Sequence, residues 1–134
     1  MLKYASVVAV ASAHSILDFG TVTLGQNPTS DQEFANRDAM VAALTAANST
    51  AEASERFVEI PAGHDISMHA FHIEHLNNVT IKLNGNVFAT ENNWKDWPAP
   101  GDSLNGKGRI QFWEFYYCDG ITIEGNGTMD GRGF

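Results

Sequence analysis

The sequence predicts an all-β fold: a parallel β-helix of short strands with an α-helix covering one end. Three observations predict it. From Phe57 onward the apolar residues recur with period two, in short segments. Two of these segments superpose without a gap at an offset of 42 positions, Val79 on Ile121, Thr80 on Thr122, Ile81 on Ile123, Asn84 on Asn126 and Gly85 on Gly127. Glycine closes the segments, at 63, 85, 125 and 127, where a sharp corner needs positive φ or close approach of another backbone. A strand-then-turn unit that recurs at about 20 residues or a multiple of it is the signature of a solenoid. Each coil leaves an apolar row that only the next coil can bury.

The elements follow in order. Residues 1–13 read as a signal peptide: Lys3 supplies the positive charge, "YASVVAVA" a short apolar stretch, and Ala11-Ser12-Ala13 a small-x-small cleavage site. The alternative is an ordinary first strand or helix. "ILDFGTVTLGQNPTS" is loop-like. "SDQEFANRDAMVAALTAANST" then reads as a helix, opened by a Ser30/Glu33 capping box. Its apolar stripe is Phe34, Met40, Val41, Ala43, Leu44 and Ala47, with Asn36, Asp38 and Thr45 off it. The alanines in that stripe allow close approach, so the helix is expected to cover the end of a flat surface. In "RFVEIPAG" the strand ends at Pro61-Ala62-Gly63, with Val58 over Val79 and Ile60 over Ile81 at half the repeat offset. "NNVTIKLNGN" and "DGITIEGNGT" are the two superposable strands, and Trp113, Phe115 and Tyr117 alternate in a further one. The competing fold is an antiparallel sandwich with hairpins at Asn84-Gly85 and Asn126-Gly127, but no alternating partner strand follows either turn at close range.

Composition narrows the function classes. The chain has 134 residues, 43% of them hydrophobic, enough for one packed domain or part of one. Its net charge is −8 and its basic residues are scattered, so no basic run exists to meet nucleic acid or an acidic membrane. No apolar run reaches the roughly 20 residues that span a bilayer. Three N-glycosylation sequons, at Asn48, Asn78 and Asn126, agree with secretion, whereas Asn27-Pro28-Thr29 is excluded by its proline. Cys118 is the single cysteine, so no disulfide forms within the chain. Either it is buried as a small hydrophobe or its partner lies elsewhere.

Together "LDFG" (17–20), "DAMVAALTAAN", "VEIPAG" (58–63), "NNVTIKLNGNVFA" (77–89) and "DGITIEGNGTMDGRG" (119–133) resemble, in that order, the N-terminal coils of the pectin-lyase-like right-handed β-helix. The resemblance is closest to the polygalacturonases of glycoside hydrolase family 28. It implies a right-handed parallel β-helix over 14–134, present as its N-terminal coils, and a secreted parent enzyme that hydrolyses a pectin-like polysaccharide by inversion. Two departures stand out. The loop after Asp18-Phe19-Gly20 lacks the family's Gly-Asp-Gly-x-x-Asp-Asp-Thr run. The family's catalytic segments, Asn-Thr-Asp, Asp-Asp, Gly-His-Gly and Arg-Ile-Lys, all follow the glycine-rich coil with which this chain ends. The chain is therefore expected to be truncated before them and inactive alone, with no catalytic residue, cofactor or metal assigned. A non-catalytic polysaccharide-binding or structural module, and a lyase or epimerase on the same fold, are the alternatives.

Several motifs imitate sites. Arg109-Ile110-Gln111 lacks the lysine of Arg-Ile-Lys, and Gly63-His64-Asp65 is not Gly-His-Gly. Asp18-Phe19-Gly20 has no accompanying kinase motifs. "NGTMD" imitates a calcium loop, yet Thr122 and Gly133 fall at the positions that need carboxylates. His64, His69, His72 and His75 suggest a metal by spacing. On a strand, however, His72 faces away from His69 and His75, and they are read as surface and turn histidines. Trp94 and Trp97 in the insert 89–109 are read as packing residues, with stacking on a sugar ring as the alternative. Asp119, Glu124 and Asp130 share one coil, but nothing sets two of them across a cleft. An open last coil is expected to invite self-association.

Overall fold

The computed structural model describes residues 14–91, 93–97 and 110–132. The signal-peptide reading of 1–13, Arg109 and most of the insert lie outside them. Among the described residues, eight short strands form three parallel sheets. The first contains β1 (Phe57–Ile60), β4 (Thr80–Leu83) and β7 (Thr122–Glu124); the second β2 (Asp65–Met68), β5 (Asn86–Ala89) and β8 (Met129–Asp130); the third β3 (Phe71–Glu74) and β6 (Trp113–Tyr116). Every pairing is parallel. The chain visits the sheets in turn and then begins again, so each of β4 to β8 bonds to the strand one round earlier. Strands of two to four residues persist because their backbone groups are paired between rounds.

The repeat seen in the sequence sets the register of the later rounds. Thr80 pairs with Thr122, Ile81 with Ile123 and Lys82 with Glu124. The earlier round differs from expectation. Val58 pairs with Ile81, and Ile60 with Leu83, two residues further along than the sequence superposition placed them. The cause is the corner: residues 61–64 separate β1 from β2, whereas only 84–85 separate β4 from β5. A slip of two leaves the inward row inward, because side chains alternate with period two. That row and its neighbours form the core: Val58, Ile60, Ile66, Met68, Phe71, Ile73, Val79, Ile81, Leu83 and Val87 are all buried. Trp113 and Phe115 pair with Phe71 and Ile73 as strand residues, but Tyr117 lies just past the strand at φ 50° and is exposed.

Close stacking of the corners explains two of the glycines. A Cβ on Gly85 would lie 2.2 Å from the Pro61 carbonyl oxygen, and one on Gly127 would lie 1.9 Å from that of Gly85. No side chain fits between rounds that approach so closely.

Among the described residues one α-helix, α1 (Ser30–Asn48), lies against β2 and also touches β1 and β3. It starts one residue earlier than the sequence suggests. Thr29 is the N-cap, and the reciprocal capping pair is Thr29 with Gln32. Ser30 and Glu33 are released from capping because both side chains turn towards the strands. The covered face is Glu33, Asn36, Ala39, Met40, Ala43, Leu44 and Ala47, with Phe34 and Val41 half-buried at its margin. Asn36, placed off the stripe by sequence, is fully buried. Its Oδ1 accepts from the Thr23 N–H at 2.8 Å, and its Nδ2 donates to the carbonyls of Thr23 and Ser67 at 2.9 and 2.8 Å. A polar group tolerates such a position when every atom is partnered. The segment before α1 runs beside the first round, with parallel bridges from Ser15 to Glu59 and from Gly25 to Ile66.

Candidate functional site

The acidic residues of the last round sit at three places along it, Asp119 before β7, Glu124 in β7 and Asp130 in β8. Asp119, Glu124 and Asp130 are all exposed; Asp119 joins its neighbours through backbone bonds to Leu76 and Asn78, and Asp130 accepts from the Arg132 N–H at 2.8 Å. His64 sits at a corner with Nδ1 3.0 Å from the Ala62 carbonyl. Among the described residues no group of three His, Cys, Asp or Glu side chains is placed to hold a metal ion. Cys118 is half-buried against the core and accepts from the Leu76 N–H at 3.4 Å.

Trp97 donates its indole N–H to the Ile110 carbonyl at 2.9 Å and packs on Phe112. The side chain of Trp94 lies outside the described residues. Asn78 and Asn126 are exposed, while Asn48 is half-buried: its Oδ1 accepts from Arg56 and the Asn77 N–H, and its Nδ2 donates to the His75 carbonyl at 3.3 Å.

Two clusters emerge that the sequence reading passed over. The first lies beneath α1. The buried Glu33 carboxylate accepts from Ser67 Oγ at 2.9 Å, Thr90 Oγ1 at 2.9 Å and Asn93 Nδ2 at 2.6 Å. Beside it, His69 is fully buried, not at the surface as the sequence suggested. Its ring stacks on Phe34 at 3.8 Å, and its Nε2 meets Ser30 Oγ at 3.1 Å. Burial holds its pKa below the ordinary histidine value, against the opposing pull of Glu33 and Asp96. Ser30 in turn donates to Asp96 Oδ2 at 2.7 Å.

Serine, histidine and aspartate meet here in the wrong order for nucleophilic catalysis. The carboxylate holds the hydroxyl proton, so Nε2 must donate to Ser30 Oγ and cannot act as its base. His69 Nδ1 is buried without a partner, so no carboxylate orients the ring. The cluster ties α1, Thr90, Asn93 and Asp96 to β2 and the His69 that follows it. The helical spacing of Glu33, Asn36 and Met40 was the signal for it, since all three fall on the face the apolar residues define.

The second cluster is on the outer side of the third sheet. His72 Nδ1 bonds Glu114, and His72 Nε2 bonds Glu74 at 2.8 Å, linking two rounds. These carboxylates, Glu114 first, raise the His72 pKa above its ordinary value. Tyr116, Tyr117 and His75 adjoin them in a run of ring contacts.

No family profile, curated protein or solved structure matches the chain. The family resemblance rests on the ordered sequence segments alone. Among the described residues no helix is long and apolar enough to cross a membrane.

Proposed function

We propose that these residues are the first coils of a right-handed parallel β-helix, and that they serve as scaffold in a secreted, polygalacturonase-like protein acting on a pectin-like polysaccharide. The observation that carries this reading is the parallel register at the repeat offset, Thr80 on Thr122 and Ile81 on Ile123. It is the pairing a coil stack requires, and it falls on the segments that carry the resemblance. Asn-Thr-Asp, Asp-Asp, Gly-His-Gly and Arg-Ile-Lys do not occur in the 134 residues. The chemistry of inverting hydrolysis needs an acid and a base across a water-sized gap, and Asp119, Glu124 and Asp130, all exposed, are read here as part of the scaffold.

The test has two arms. Purified chain incubated with polygalacturonate is expected to release no reducing sugar; release would assign catalysis to residues read here as scaffold. Transcript sequence across the Phe134 codon is expected to continue in frame into the four catalytic segments, and a stop codon would remove the hydrolase reading. A non-catalytic polysaccharide-binding module is the second reading, favoured by the exposed aromatic rings of the third sheet.

A further inference from the structure

The outer side of the third sheet presents His72 and Glu74 from β3 beside Glu114 and Tyr116 from β6, with His72 paired to Glu114 and Glu74 to Tyr116. Just beyond the strands, His75 and Tyr117 occupy equivalent corners, both in the left-handed region at φ 60° and 50°. Their rings lie almost parallel, 8° apart in plane and 5.5 Å between centroids. Tyr116 packs edge-on to Tyr117 at 4.3 Å. Tyr117 is 69% exposed and Tyr116 49%.

Bulky side chains avoid positive φ, which glycine and asparagine adopt with far less strain. This chain uses those cheaper residues at the adjacent pair of corners, Asn78 and Gly120. An exposed tyrosine kept in a strained conformation gains nothing in core packing by it. Such an outlier points to a use for the ring itself.

We propose that Tyr117, Tyr116 and His75 form a stacking platform for the pyranose rings of an uncharged polysaccharide, whose hydroxyls donate to Glu74 and Glu114. The C–H face of a pyranose is apolar and flat enough to lie on an aromatic ring. Its rim of hydroxyls matches carboxylate acceptors, which bind such donors more strongly than neutral acceptors do. His72 stands between the two carboxylates and fixes their positions. The same carboxylates repel uronates and phosphates, and the net charge of −8 acts in the same direction. Each nitrogen of His72 is already engaged by a different carboxylate, which leaves no convergent ligand set for a metal. Binding here breaks no bond, so its test is independent of the hydrolase reading.

The experiment titrates the 134-residue chain with cellohexaose, xylohexaose, mannohexaose and hexagalacturonate, followed by nuclear magnetic resonance. At least one uncharged hexasaccharide is expected to bind and to shift Tyr116 and Tyr117, with hexagalacturonate about tenfold weaker or more. Tyr117→Phe keeps the ring and is expected to bind as the parent does. Tyr117→Asn is expected to weaken binding about tenfold, while its unfolding midpoint stays equal or rises because the strain is relieved. That split separates a binding ring from a structural one. Four results overturn the proposal: no binding of any uncharged probe by folded chain, preference for hexagalacturonate, unchanged binding by Tyr117→Asn, or self-association abolished by Tyr117→Asn without saccharide binding.

Discussion

His69 and His72 lie three residues apart and respond to acid in opposite senses. The buried His69 ring is held neutral by desolvation, so its folded-state pKa lies below the ordinary 6.5. As pH falls below that value the unfolded chain takes up the proton first, and this site loses stability. His72 lies between Glu114 and Glu74, and its folded-state pKa lies above 6.5. Its contribution is complete below 6.5 and is lost as pH rises through the raised value. His72→Gln should therefore lower the urea midpoint more at about pH 5.5 than at about pH 8.5. Equal losses at the two pH values would show that the charged bridge between rounds contributes nothing.

At the scale of the element, α1 shows what the sequence discloses and what it withholds. Met40, Ala43, Leu44 and Ala47 are legible as one face because apolar residues at helical spacing have no better place than a covered surface. Glu33 and Asn36 are on that same face, but their burial depends on Ser67, Thr90, Asn93 and Thr23, residues distant in sequence that no local pattern connects to them. The N-cap is misplaced by one residue for a related reason: Ser30 and Glu33 suit a capping box, yet the tertiary partners Asp96 and Ser67 take their side chains. The docked face itself is testable. Leu44 is fully buried and Thr45 is exposed. Leu44→Asp should cost about 3–5 kcal/mol by burying an unpaired carboxylate, and Thr45→Asp less than about 1 kcal/mol, both read by urea unfolding. Similar losses would mean that α1 does not dock through this face.

At the scale of the whole molecule, the strands of the last rounds bear on solubility. Among the described residues β6, β7 and β8 each lie at the edge of their sheet, and Ile123 and Met129 are 47% and 40% exposed. An edge with open N–H and C=O groups beside an apolar row is a template for another chain. The 134-residue chain is expected to self-associate, so light scattering should give a mass at least that of a dimer. A stable monomer at all concentrations would contradict that expectation. This edge was legible from the repeat alone, since the Ile121 and Ile123 row needs a further coil to bury it. The exposed face of the third sheet was not. Its aromatic residues alternate like core residues in the sequence, and only the left-handed corner at Tyr117 turns that ring outward.

All of this depends on successive rounds stacking in one register, with Lys82 beside Glu124. The direct measurement is oxidation of Lys82→Cys/Glu124→Cys in a Cys118→Ser background. Adjacent parallel strands lie about 4.8 Å apart, within reach of a disulfide. This pair is expected to cross-link readily in the folded chain, while Lys82→Cys/Thr122→Cys, displaced by two residues, is not. Cross-linking of the displaced pair, or of neither, would contradict the coil stack and the function drawn from it.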